Sequence, residues 1–117
     1  MTTLLRWLCI LSLTACVIHL PAQATAQQKE KSAFQQEMMA SMKKMDKDMV
    51  AAPMTGDPDH DFAAIMIPHH QGAVDMAKVE LIYGKDPVLR RLAQEIIVTQ
   101  EQEIEVMRMR LKQFRTK

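Results

Sequence analysis

Residues 57–84, DPDHDFAAIMIPHHQGAVDMAKVELIYG, carry the signals that decide the fold. Asp57 followed by Pro58 is typical of a helix N-cap and first helical residue, and Gly84 is typical of a helix stop. The segment between them therefore predicts one helix that ends near Tyr83. The main stripe of this helix consists of Phe62, Met66, His69, Ala73, Met76 and Glu80, with His70 and Ala77 on one flank.

Pro68 lies inside this predicted helix, directly before the two histidines. A proline removes one backbone donor, at a cost of roughly 3 kcal/mol in a regular helix interior. Two interpretations stay open at this point. Either the helix is kinked and a carbonyl near Ala64 is freed, or a new helix simply restarts at Pro68.

Two further helices are predicted on either side. Upstream, Ser32 and Gln35 have capping-box spacing, which predicts that a helix begins at Ser32. A loop with proline and glycine follows over residues 51–56. Downstream, Asp86 and Pro87 repeat the cap-then-proline signal and open a third helix. The sequence thus predicts an all-α fold, an up-down-up bundle of three helices after an N-terminal signal helix.

The N-terminus is typical of an export signal. Arg6 precedes an apolar run over residues 7–20, Pro21 breaks the run, and small residues follow. The run is shorter than the roughly 20 residues that span a bilayer as a helix. We therefore predict a signal peptide over residues 1–24, no membrane span in the mature form, and a periplasmic or secreted protein. A lipoprotein anchored at Cys16 is the alternative.

The mature chain predicts one small domain. Residues 25–31 are polar and lack periodicity, so we expect a flexible leader ahead of a helical domain over residues 32–117. Both cysteines lie in the predicted signal, so the mature chain has no thiol. Its basic and acidic side chains balance, which argues against a nucleic acid partner.

Methionine is unusually frequent, with 11 in 117 residues. The first predicted helix alone contains Met38, Met39, Met42, Met45 and Met49. Thioethers combined with imidazoles, in the absence of thiols, are ligands for soft metal ions and for copper above all. Because methionine also fills irregular cores, a purely structural stripe is the alternative.

Folding the chain back at each loop predicts that methionines and histidines meet in one slice of the bundle. The candidate metal ligands are His69, His70, Met66, Met76, Met42, Met45 and Met38. The surrounding groups are Gln100, Glu103 and Met107, and Gln100 or Glu103 is expected to accept the second ring proton of a ligating histidine. His69 is the stronger candidate, and His70 is expected to act as a gate or a surface ligand.

The sequence resembles the bacterial secreted domain of unknown function 305 family. The resemblance rests mainly on MIPHHQGAVDMA over residues 66–77 and extends from about Phe34 to Phe114. It implies a small helical bundle of ferritin-like character and an exported location. It also implies copper binding, because the CopM-like members are periplasmic copper binders. Many relatives carry histidines on the first helix, which has none here, and this departure favours Cu(I) or Ag(I) over Cu(II).

We therefore expect an exported, non-enzymatic protein that binds copper, with Cu(I) favoured, for sequestration or for handover to a transfer partner. A di-iron bundle needs Glu-x-x-His pairs and covalent haem needs Cys-x-x-Cys-His, and the sequence contains neither motif. The alternative function is a metal-free helical interaction module, whose methionine-rich core supports a partner helix or a homo-oligomer.

Overall fold

The computed structural model describes residues 22–114, with side chains from residue 25 onward. This part of the chain forms α1 (Ala22–Val50), α2 (Pro58–Tyr83) and α3 (Pro87–Phe114), with no strand among them. The prediction of an all-α fold with three helices is confirmed. The predicted signal helix before residue 22, including Cys16, lies outside the described residues, as do residues 115–117.

The helix α1 begins earlier than the sequence predicted. Residues 25–31, expected as a flexible leader, are exposed and helical, so the predicted helix start at Ser32 is wrong. The hydroxyl of Ser32 accepts from Nε2 of Gln36 at 3.4 Å and lies within the helix rather than capping it. The upstream segment AQATAQQKEK is dominated by residues that favour helix and contains none that stops one.

Both ends of α2 and the start of α3 lie where the sequence placed them. The carboxylate of Asp57 accepts from two backbone N–H groups in the first turn of α2, both at 3.0 Å. Asp86 does the same for α3, with both distances at 2.9 Å. At Gly84 the chain turns into extended backbone with φ at −68°, and its N–H donates to the carbonyl of Glu80 at 2.7 Å.

Pro68 does not interrupt α2, which is one continuous helix on both sides of it. The interpretation that the helix restarts at Pro68 is therefore wrong. Since proline has no N–H, the carbonyl of Ala64 lacks its usual helical donor.

The three helices form a flat layer with α2 in the middle. No Cα atom of α1 lies within 8 Å of a Cα atom of α3, whereas α2 packs against both. The rings of Phe34 and Tyr83 are 6.1 Å apart, and those of His60 and Phe114 are 6.2 Å apart. Phe34 lies in the first half of α1 and Tyr83 at the end of α2, while His60 lies at the start of α2 and Phe114 at the end of α3. Neighbouring helices are therefore antiparallel.

The core is small and lies mostly on α2. Its buried apolar residues are Ala63, Ala64, Val74, Ala77, Val79, Ala93 and Ile104. Alanine side chains let the helix backbones approach closely. Because α2 has a neighbour on two sides, its buried residues do not form one stripe. None of the helices in the described residues is both long and apolar enough to cross a membrane.

An arginine joins the end of α2 to the start of α3. One guanidinium nitrogen of Arg90 donates to the carbonyl of Leu81 at 2.7 Å and to that of Gly84 at 2.8 Å. Both carbonyls belong to the C-terminal end of α2, where helix carbonyls lack partners and a positive charge is favourable. No sequence pattern predicted these hydrogen bonds of Arg90.

The loop between α1 and α2 is held by Asp61. Its carboxylate accepts from the backbone N–H of Thr55 at 2.7 Å and from that of Gly56 at 2.8 Å. Nδ1 of His60 lies 3.0 Å from the same carboxylate. The hydrogen bond from the Thr55 N–H contributes most to lowering the pKa of Asp61 from 3.8 to about 2.

We expect Asp61→Asn to lower the melting temperature at pH 7 and to matter less in acid. A carboxyl with a depressed pKa stabilises the folded state above its ordinary value and loses that contribution as the pH falls through the folded value. The gap between wild type and variant should therefore narrow from pH 4 towards pH 2, as measured by circular dichroism melts. Asp59→Asn, in the same turn, is the control, and a gap that stays constant would contradict this assignment.

Candidate metal site

The contact between His70 on α2 and Glu103 on α3 is the centre of the candidate site. Nε2 of His70 lies 2.8 Å from a carboxylate oxygen of Glu103. The side chain of His70 is only 15% exposed, whereas that of Glu103 is 52% exposed. The imidazole is thus held inside the interface between α2 and α3, and the carboxylate reaches it from the solvent side.

The partner at Nε2 determines what the other ring nitrogen can do. A carboxylate only accepts hydrogen bonds, so in the neutral ring the proton lies on Nε2 and Nδ1 carries a lone pair. Nδ1 of His70 is buried and has no hydrogen-bond partner in the part of the chain that the structure describes. A carboxylate that fixes the ring in this way is the usual neighbour of a metal-ligating histidine.

A second orphaned acceptor lies on the same stripe of α3. Oε1 of Gln100, one turn before Glu103, is also buried without a partner among the described residues. Both His70 Nδ1 and Gln100 Oε1 offer electron pairs, and neither receives a donor. Buried acceptors are costly when they stay unpaired, so each of these two atoms is suited to accept from a donor or to bind a cation.

Two thioethers lie one turn away from this pair. Met66 precedes His70 by four residues and Met107 follows Glu103 by four, and both are half-buried. Residues four apart are neighbours on one helix face. Because α2 and α3 are antiparallel, the contact between His70 and Glu103 brings Met66 and Met107 to the same level. We call these four residues the α2–α3 seam.

The methionines of α1 do not reach this seam. Met45 packs against Gly72, where an added Cβ would lie 2.5 Å from its Cγ. This register brings Met45 opposite Gly72, so Met38 and Met42 lie one to two turns nearer the C-terminal end of α2 than the histidines do. More fundamentally, the predicted single slice needed α1 beside α3, and α2 separates the two helices. The residues on α1 thus lie at one edge of the layer, across α2 from those on α3. The α1 residues are Met38, Met42 and Met45, and the α3 residues are Gln100, Glu103 and Met107.

The ranking of the two histidines as metal ligands stays a prediction, but their burial is the reverse of what their places on the main stripe and its flank suggested. His69 is exposed, whereas His70 lies in the interface. The predicted acceptor on α3 is confirmed as a contact, but it is Glu103 that pairs, and it pairs with His70. The rings of His69 and His70 are 5.9 Å apart, so the two imidazoles remain close neighbours.

Met76 lies away from the seam, in an open groove between α2 and α3. The groove has a volume of about 310 Å³ and is lined mainly by alanine, leucine and isoleucine. Among the described residues, no three His, Cys, Asp or Glu side chains come together as a metal-binding group. A metal at the seam would therefore depend on thioethers as well as on the imidazole.

Comparison with known families gives one match. The family model described as "Domain of unknown function (DUF305)" matches residues 6–111, which is most of the chain. Among curated proteins, none matches.

Proposed function

The chain belongs to the DUF305 family, whose description names no activity, and we propose that it binds a soft metal ion at the α2–α3 seam. Cu(I) is the ion that its ligand types favour, and Ag(I) has the same preferences. The protein would be an exported, non-enzymatic copper binder, like the CopM-like members of this family. It would sequester the ion or hand it to a transfer partner.

The observation that carries this proposal is the unpaired Nδ1 of His70. This atom is buried. Because Nε2 donates to Glu103 at 2.8 Å in the neutral ring, Nδ1 carries the free lone pair. The seam therefore supplies a preset imidazole ligand. A cation is one way to satisfy it.

The thioethers of Met66 and Met107 support the choice of ion. Thioether sulfur is a soft ligand that hard cations such as Mg²⁺ and Ca²⁺ do not use. One imidazole and two thioethers suit the low coordination numbers of Cu(I). The mature chain that we predict has no cysteine to compete with them.

We expect Met107→Leu to weaken Cu(I) binding roughly tenfold or more, equivalent to about 1.4 kcal/mol. Leucine keeps the volume of the side chain but removes the sulfur, so packing changes little. Met109→Leu is the matched control, since Met109 lies two residues away on α3 and its side chain is 54% exposed. The measurement is an anaerobic titration of the chain from Thr25 against a chromogenic Cu(I) chelator.

A bound water molecule would satisfy the same orphaned acceptors without any metal. In that case wild type would show no Cu(I) affinity tighter than micromolar, and Met107→Leu and Met109→Leu would titrate alike. Either result would overturn the proposed function. Equal weakening by both variants would place the copper ion elsewhere on the chain and would also contradict the seam.

A further inference from the structure

One broad side of the three-helix layer is mostly apolar, with the carboxylate of Glu80 among its groups, and no other helix of the described chain covers it. Met42, Phe62, Met66, His69, Met76 and Leu92 represent this surface, which we call the methionine face. Phe62 is 64% exposed, Leu92 is 49% exposed and Met42 is 39% exposed. Large apolar side chains are thus presented to solvent from all three helices.

The geometry of α2 explains why these residues share one side. His70 points to α3 and Gly72 points to α1, about 200° apart at roughly 100° per residue. The predicted main stripe, which includes Phe62 and His69, falls in the sector between these two directions. That stripe is therefore not the core but an open side of α2, and this is why His69 is exposed.

The outer helices add their apolar flanks to the same side. The groove of about 310 Å³ is lined by Met76 from α2 and by Leu92 and Ile96 from α3. On α1, Met42 and Met38 lie about one and two helical turns before Met45, on the flank that belongs to this side of the layer.

The opposite side of the layer is charged. Lys78 lies nine residues from His69, about 180° around α2, and pairs with Glu101 of α3 at 3.4 Å. On α1, Lys44 pairs with Asp48 at 2.6 Å. The two sides of the layer thus differ in character, since these ion pairs lie on the side opposite the methionine face.

We propose that the methionine face binds a second copy of this chain, with the two layers face to face. The 26 residues of α2 span about 39 Å, and three helices spaced about 8–10 Å apart make a face about 25 Å wide. That area is close to 1,000 Å², compared with about 800 Å² per partner in a standard stable interface.

The face is also complementary to itself. A two-fold axis parallel to α2 would place α1 of one copy over the α2–α3 groove of the other. The contacts of Met45 with Gly72 and of Phe34 with Tyr83 put Met42 near the level of residue 75 and Met38 near that of residue 79. The groove of the partner lies at the same level, between Ala73 and Glu80. Met38 and Met42 of each copy thus meet the α2–α3 groove of the other.

Sedimentation velocity of the metal-free chain from Thr25 tests this inference, with the full chain run beside it. We expect dimers for wild type, and we expect Leu92→Lys to weaken association about tenfold or more, because the ammonium group would be buried in the interface. Val98→Lys is the matched control. Val98 is 58% exposed, against 49% for Leu92, and lies on the outer side of α3. Circular dichroism verifies that both variants are folded.

Three outcomes would overturn the proposal. One is a wild-type monomer at high micromolar concentration, and another is equal weakening by Leu92→Lys and Val98→Lys. The third is association of the Thr25 chain but not of the full chain, which would show that the preceding apolar segment occupies the face. Because the measurement contains no metal, its failure leaves the copper titration unaffected, and the reverse also holds.

Discussion

Gly72→Ala should lower the stability of the domain by roughly 1–3 kcal/mol, the usual cost of overpacking. The new Cβ would lie 2.5 Å from Cγ of Met45 and 2.6 Å from its Cβ and Sδ. A rotamer change cannot move the Cβ of Met45, so α1 and α2 must separate. In a domain of this size each kcal/mol corresponds to about 4–8 °C in melting temperature.

The sign of the effect should reverse when Met45 is removed. In a Met45→Gly background the added methyl group has space, and alanine is favoured over glycine in a helix by about 1 kcal/mol. Gly72→Ala should then stabilise the protein. Urea denaturation of the four proteins of this double-mutant cycle measures the coupling. A destabilisation by Gly72→Ala that is the same in both backgrounds would show that the two helices do not meet at Gly72.

His70→Ala should have the largest effect on Cu(I) binding, about 100-fold, or roughly 2.7 kcal/mol. The variant removes the only ligand whose free electron pair is fixed in advance by a neighbour, the carboxylate of Glu103. His69→Ala is the matched control, since His69 is adjacent in sequence but exposed, and it should change the affinity about twofold at most. A larger loss of Cu(I) affinity in His69→Ala than in His70→Ala would instead support His69 as the stronger ligand, as the sequence alone suggested.

Glu103→Gln separates a positioning role from a structural one. The amide has nearly the same shape as the carboxylate but can donate to Nε2, which would move the ring proton to Nδ1. Loss of such a neighbour typically weakens metal binding about 10–100-fold. We expect that loss in the chelator titration, with the melting temperature of the metal-free protein little changed. A variant that melts earlier yet binds Cu(I) normally would assign Glu103 to folding alone.

The helix boundaries that depend on local chemistry could be predicted from the sequence. Asp57 with Pro58 and Asp86 with Pro87 satisfy or remove the orphan donors of a first turn, and both helices begin as expected. The start of α1 could not be predicted in this way. The capping-box pattern at Ser32 is local too, but nothing before it disfavours helix, so the pattern does not mark an end.

The order in which the two histidines are buried could not be predicted, for a different reason. The predicted main stripe of α2 implies a single buried side, as in a helix with one neighbouring surface. A helix between two others buries two opposite sides, and α2 buries Val74 on one and Gly72 on the other. The apolar stripe between them, with His69 in it, was therefore mistaken for the core. Only the tertiary arrangement reveals that His70 faces a neighbour.

The meeting of α1 with α3 was a question of topology rather than of residues. Three antiparallel helices can close into a triangle or lie side by side, and short loops allow both. Glu103 was still placed at the correct level, because the distance along α2 and α3 from their shared loop is the same in either arrangement. For α1 the level was displaced, since the packing of Met45 on Gly72 determines it.

The separation of the outer helices by α2 also affects how substitutions combine. Residues that share no neighbour contribute independently to the free energy of unfolding, whereas residues in contact do not. The backbones of α1 and α3 come no closer than 8 Å. Within one copy, the methionines of α1 do not touch Met107, so substitutions at these two edges should add in the free energy of unfolding, and any coupling between them would arise across the proposed dimer.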